Sequence, residues 1–191
     1  MSISITGNSF LIQKKFLKLL GSDFRIYDSN KVEILFAHLK AFKLKEDITL
    51  YTDETKTTPV VNIKARSVID FSAAYDFYDA VTGQKIGAAK RKGFKSIIKD
   101  EWVLLSADND EEIGLIEEDS MLMALLRRFI TNLIPQKFHV KIGQEEVARY
   151  ENNFNPFISK VSVHISHPEN YNPLFALSMG ILLCAIEGKQ G

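Results

Sequence analysis

Leu174–Ile186 reads LFALSMGILLCAI, 13 residues with no charge and no polar face. A helix that is greasy all round has to be surrounded by apolar material, either lipid or the inside of a protein. At 1.5 Å per residue it spans roughly 20 Å, well short of the ~30 Å hydrocarbon core of a bilayer. The uncharged window widens only to Asn170–Ile186, between Glu169 and Glu187, and Asn170, Asn172 and Pro173 do nothing for a membrane span. No cluster of Lys and Arg flanks it to set an orientation. The stretch therefore reads as a buried core helix over about 173–187, with Asn172 as N-cap, Pro173 in the first helical position and Gly188 just past the end. Leu174, Leu177, Ile181 and Leu182 are its expected core positions, and Ala176, Ser178, Gly180 and Ala185 are small enough for other elements to pack close.

Outward from this helix, the chain reads as hairpins. FRIYDSNKVEILFAHL, YDFYDAVTGQKIGAAKR, WVLLSADNDEEIGLIEE and FHVKIGQEEVARYE each hold two β-rich runs around a short polar turn. The turns are Ser29-Asn30, Thr82-Gly83, Asn109-Asp110 and Gly143-Gln144, residue types that tolerate the positive φ of tight turns. Val61, Ile63 and Ala65 alternate with Asn62, Lys64 and Arg66, and Phe138, Val140 and Ile142 share one face. Such a meander must hide its edges, by closing into a barrel or pairing into a sandwich. A helix with no polar face is best buried if the sheet wraps around it, as a barrel threaded by its own C-terminal helix. Ser120–Ile130 (SMLMALLRRFI) reads as a second helix, with acids before it and Arg127 and Arg128 at its end. Phe10–Leu20 fits either a helix, with Ile12, Phe16 and Leu19 on one face, or a strand and an irregular connection. No linker divides the chain, so residues 1–191 are expected to form one domain.

Composition narrows the function. Lys plus Arg and Asp plus Glu are 24 each, so the molecule as a whole does not attract polyanions and nucleic-acid binding is not expected. The single cysteine, Cys184, lies in the greasy helix, which fits a reducing compartment and reads as an inert core thiol. Lys14, Lys15 and Lys18 interrupt the first apolar stretch and no leader-like pattern follows, so the cytoplasm is the expected location.

IKARSVIDFSAAYDFYDAVTGQKIGAAKRKGFKSIIKDEWVLL (Ile63–Leu105), then IGLIEEDSMLMALLRRF, FNPF and LCAIEGKQ, resemble the tubby C-terminal-like superfamily. Within it the likeness is to phospholipid scramblases and LURP-one-related proteins, over about Phe10 to Gln190. The resemblance implies a closed antiparallel β-barrel of about twelve strands wrapped around a buried hydrophobic C-terminal helix. It also implies a divided range of functions. Tubby proteins bind phosphoinositides, scramblases are linked to calcium-dependent lipid movement, and LURP-one-related members have no settled activity. The chain departs from the scramblase pattern: SHPENYN, before the final helix, holds one acid instead of an acidic calcium segment. A proline-rich extension and a cysteine-rich run are also missing from this sequence.

Lys90, Arg91, Lys92 and Lys95, around Gly93 and Phe94 and with Lys99 nearby, are the candidates for holding anionic lipid headgroups; the plainer reading is a solvated hairpin end. Asp108, Asp110, Glu112 and Asp119 sit at positions 1, 3, 5 and 12 of a possible calcium loop, but Ile113 stands where the turn glycine belongs and strand-like alternation flanks it. His164 and His167 would lie on opposite faces of a strand, poor geometry for one metal. Asp70, Asp76, Asp79, Asp100 and Glu101 have no spacing that fixes an acid/base pair. No catalytic, cofactor or metal residues are therefore assigned. The expectation is a non-enzymatic cytoplasmic binding or scaffold module that docks on anionic phospholipid or phosphoinositide surfaces, or on a protein partner. The alternatives are a membrane-inserted scramblase anchored by Leu174–Ile186 and an enzyme with a small-molecule pocket.

Overall fold

The computed structural model describes residues 5–17, 21–39, 47–67, 73–92, 101–119, 136–153 and 158–187. The strands are β1 (Ser9–Leu17), β2 (Gly21–Tyr27), β3 (Glu33–Leu39), β4 (Ile48–Tyr51), β5 (Pro59–Ser67), β6 (Ala74–Asp79), β7 (Lys85–Arg91), β8 (Glu101–Leu105), β9 (Glu112–Glu118), β10 (Gln136–Ile142), β11 (Glu145–Asn153) and β12 (Ile158–Ile165). Each pairs antiparallel with its sequence neighbour, and β1 pairs with β12 to close the barrel. Helix α1 (Pro173–Glu187) follows β12 and runs down the lumen. The expectation of a closed antiparallel barrel around a terminal helix is met.

The hairpin turns that sequence located are all present. Asp28 accepts N–H bonds from Asn30 and Val32 on Oδ1, and the left-handed residue of that turn is Lys31 (φ 63°). Asp79 does the same for Val81 and Thr82, ahead of Gly83 (φ 71°). Asp110 takes φ 58° between β8 and β9. A fifth hairpin, β4–β5, turns through Asp53 and the left-handed Lys56 (φ 58°). As far as Leu17 the ambiguous N-terminal stretch is strand β1, and the rest of it lies outside the described residues: Phe10 and Ile12 point inward, and so does Lys14, which breaks the apolar alternation and disguises the strand. The expected helix at Ser120–Ile130 lies outside the described residues.

Because every strand reverses the last, the β2–β3, β4–β5, β6–β7, β8–β9 and β10–β11 turns all sit at one end of the barrel, where α1 also begins. Asn172 Oδ1 accepts the N–H groups of Leu174 (2.9 Å) and Phe175 (3.3 Å), capping the helix as its sequence suggests. Leu174, Leu177, Ile181 and Leu182 are all buried in the core. Two glycines let the barrel close on the helix. A Cβ on Gly87 would stand 2.8 Å from the Phe175 ring, and one on Gly180 would stand 2.5 Å from Ile12 Cδ1. At the far end, Lys14 Nζ donates 2.8 Å to the Cys184 carbonyl in the last turn of α1, where a cation suits the helix dipole, and lies 5.6 Å from the Phe24 ring centroid. Tyr150 donates its hydroxyl to the Ala176 carbonyl (2.8 Å) and shares a 2.9 Å bond with Tyr171. Burial pushes both phenols upward in pKa. Among the described residues no helix is long and apolar enough to cross a membrane.

Candidate functional site

Strand geometry separates the basic run. Alternate residues of β7 face opposite ways, so Lys90 is exposed on the outer wall while Arg91 turns into the barrel and is only 8% exposed. Lys92 is half-buried, with Nζ 3.7 Å from Glu101. Lys95 lies outside the described residues. Of the four headgroup candidates, Lys90 and Lys92 are therefore the described ones that reach the surface, at the barrel end where α1 finishes. Arg91 instead works inside, where its charge pulls against the burial that raises the Tyr75 phenol.

The acidic run is also dispersed. Asp110, in its turn, is gripped by Arg66 (2.7 Å) and Lys85 (2.5 Å), and these two hydrogen bonds hold its carboxyl at about 2. Asp76 is bound by Arg66 through Nε (2.6 Å); burial works against its charge, but Arg66 and Lys85 keep it below the usual carboxylate range. This network staples β5, β6 and β7 to the β8–β9 turn. Asp119 lies a full strand from that turn, roughly 20 Å along β9, so the four positions of the calcium spacing do not converge. Asp79 caps its turn, Glu101 faces Lys92, and Asp70 and Asp100 lie outside the described residues.

The histidines are scattered among separate carboxylates. His38 meets Asp23 (2.6 Å), His139 meets Glu146 (3.0 Å), and His167 lies between Glu145 (3.2 Å) and Glu169 (2.9 Å). His164 Nδ1 is instead 3.1 Å from Ser9 Oγ on the outer wall. Burial opposes the charge on Glu146, yet Arg149 and His139 hold it below its ordinary value.

One feature of the outer wall was not legible in the sequence. A groove of ≈ 730 Å³ crosses β11, β12, β1 and β2, beneath the β2–β3 turn. Register explains its shape. Ser9 is opposite His164, Leu11 lies between Tyr27 and Ser162, and Gln13 is opposite Lys160. Short side chains thus form the floor, while Tyr27, Ser29 and Lys31 rise on one side and Arg149 and Glu151 on the other. The lining comes from four distant stretches, each reading as an ordinary solvent face. The small outward residues Ser9 and Ser162 on paired strands are the one hint, and it needs the β1–β12 register to be seen.

The family model described as LURP-one-related matches residues 8–184. An X-ray structure of a protein from Arabidopsis thaliana superposes with a TM-score of 0.53, covering 94% of this chain and 92% of that one at 16% identity, a likeness of fold alone. No curated protein matches the sequence.

Proposed function

The chain belongs to the LURP-one-related family, and from that premise we propose that it is a non-enzymatic, cytoplasmic binding module that docks peripherally on anionic phospholipid. The docking end is the one where α1 finishes. What supports this reading is an asymmetry of charge between the two ends of the barrel. The hairpin-turn end carries exposed Asp53, Glu54, Asp108, Glu111, Glu112, Glu145 and Glu169 against Lys31 and Lys56, and an anionic surface repels it. At the opposite end the described residues Lys15 and Lys90 are exposed and Lys92 is half-buried, against Asp47 and Asp119; the sequence between the described strands also holds Lys18, Lys40, Lys43, Lys45, Lys95, Lys99, Arg127 and Arg128 against Glu46, Asp70 and Asp100. Lys90 and Lys92 stand at that same end, on β7 and just beyond it.

Docking in this orientation leaves the barrel intact. Inserting α1 as an anchor would strip Leu177, Ile181 and Leu182 from the core and open the closed ladder. The test is co-sedimentation with phosphatidylserine vesicles at low and high salt, comparing the wild type with Lys90→Ala/Lys92→Ala/Lys95→Ala. Each lysine near such a surface contributes about 1 kcal/mol, so the triple variant should bind on the order of a hundredfold more weakly. Salt-independent binding, or equal binding by the variant, overturns the proposal.

A further inference from the structure

We propose that the outer-wall groove is a second, separate binding site, for a small organic anion with an apolar body: an acyl or aromatic carboxylate or monophosphate. Its volume of ≈ 730 Å³ falls in the range of small-molecule sites, which also pair an apolar lining with a few placed polar groups.

The chemistry follows from which lining charges are already engaged. Asp28 spends Oδ1 on the N–H groups of Asn30 and Val32, and Glu151 faces Lys137 at 3.4 Å. Arg149 is held by Glu146, with Nε at 3.1 Å and Nη2 at 2.7 Å. Lys31 and Lys160 have no carboxylate partner among the described residues, although both line the groove. The acids and the arginine are thus committed while two ammonium groups are not, and the groove is complementary to an anion. Beside Lys160 on β12, the Ser162 hydroxyl and the His164 ring add hydrogen-bonding groups one and two pairs further along the wall. The apolar body has its own place, where Leu11 and Tyr27 stand side by side across the β1–β2 pair, both half-buried.

The walls are stiff before anything binds. The backbone that carries Lys31 is fixed by the Asn30 and Val32 N–H bonds to Asp28, and Arg149 is clamped to Glu146, so the frame of the groove is set before binding. The floor belongs to four strands at the closing seam of the barrel.

The experiment titrates the full chain, labelled with nitrogen-15, with hexyl phosphate, and with inorganic phosphate and hexanol as the two halves of the probe. Hexyl phosphate should shift amides of β1, β12 and the β2–β3 turn and bind at least tenfold tighter than either half. Lys31→Gln and Lys160→Gln should each weaken it three- to tenfold, and Ser162→Leu, which fills the floor from the solvent side, should abolish it. Lys64→Gln, on the outer wall of β5, should change nothing. Amide spectra confirm that each variant is folded. Equal binding of inorganic phosphate, shifts elsewhere, or unaltered affinity in the two lysine variants overturns the proposal. Phosphatidylserine vesicles separate the sources of the anion. If Lys31→Gln/Lys160→Gln lowers vesicle binding as much as the β7-end triple variant does, the groove reads a membrane headgroup and the small-molecule assignment is wrong.

Discussion

Asp110 shows how much one side chain does when its backbone and its charge are both spoken for. It accepts a left-handed φ of 58° in the β8–β9 turn and ties Arg66 and Lys85 to that turn from two other strands. Its carboxyl titrates at about 2, with Arg66 and then Lys85 the principal causes, against about 3.9 in an unfolded chain. A carboxylate depressed in the native state stabilises above the unfolded value and loses that contribution as pH falls through the folded one. Asp76, lowered by the same cations against its own burial, adds to the effect. Stability should therefore fall between about pH 4 and pH 2. In urea titrations at stepped pH, Asp110→Asn should have a shallower acid limb than the wild type. An unchanged limb would mean that other carboxylates govern acid unfolding.

The local elements were legible in proportion to how local their causes are. Turns announce themselves because Asp28, Asp79, Gly83, Asp110 and Gly143 act within a few residues of themselves. Strand β1 did not, because an inward lysine answers to a carbonyl on a helix 170 residues away in sequence. The candidate basic site suffered the opposite error: four nearby cations read as one patch, and a period of two puts Arg91 inside. The groove depends on register between distant strands, so its residues carried no signal beyond the small outward Ser9 and Ser162, which mean something only once β1 is set against β12. Register also makes Gly114 necessary in a way the sequence does not advertise. A Cβ there would meet the Lys141 backbone oxygen at 2.5 Å, and a neighbouring strand cannot rotate out of the way as a side chain can. Gly114→Ala should spread β9 from β10 and lower unfolding stability by about 1–3 kcal/mol. A loss well under 0.5 kcal/mol in a urea titration would refute that account.

The whole architecture was inferable because one helix has no polar face. A sandwich gives such a helix a covered side and an uncovered one; a barrel covers it everywhere, and that requirement selected closure before any strand pairing was known. The dependence is mutual. Ile12, Phe24, Phe77, Trp102, Val140 and Tyr150 line a lumen that α1 fills, so a chain ending at residue 172 should lose cooperative unfolding and amide dispersion. A sharply melting truncated barrel would show that the strands suffice alone. Order of synthesis gives this dependence a further meaning. The ribosome delivers β1 first, but its second partner, β12, emerges only after some 150 residues, and the plug for the lumen later still. For most of translation the nascent sheet carries two raw edges and an unfilled greasy face, the features that invite pairing between chains. Chaperone cover must therefore last until the ribosome has passed α1, and a stalled or truncated message should yield aggregate and not a smaller working protein.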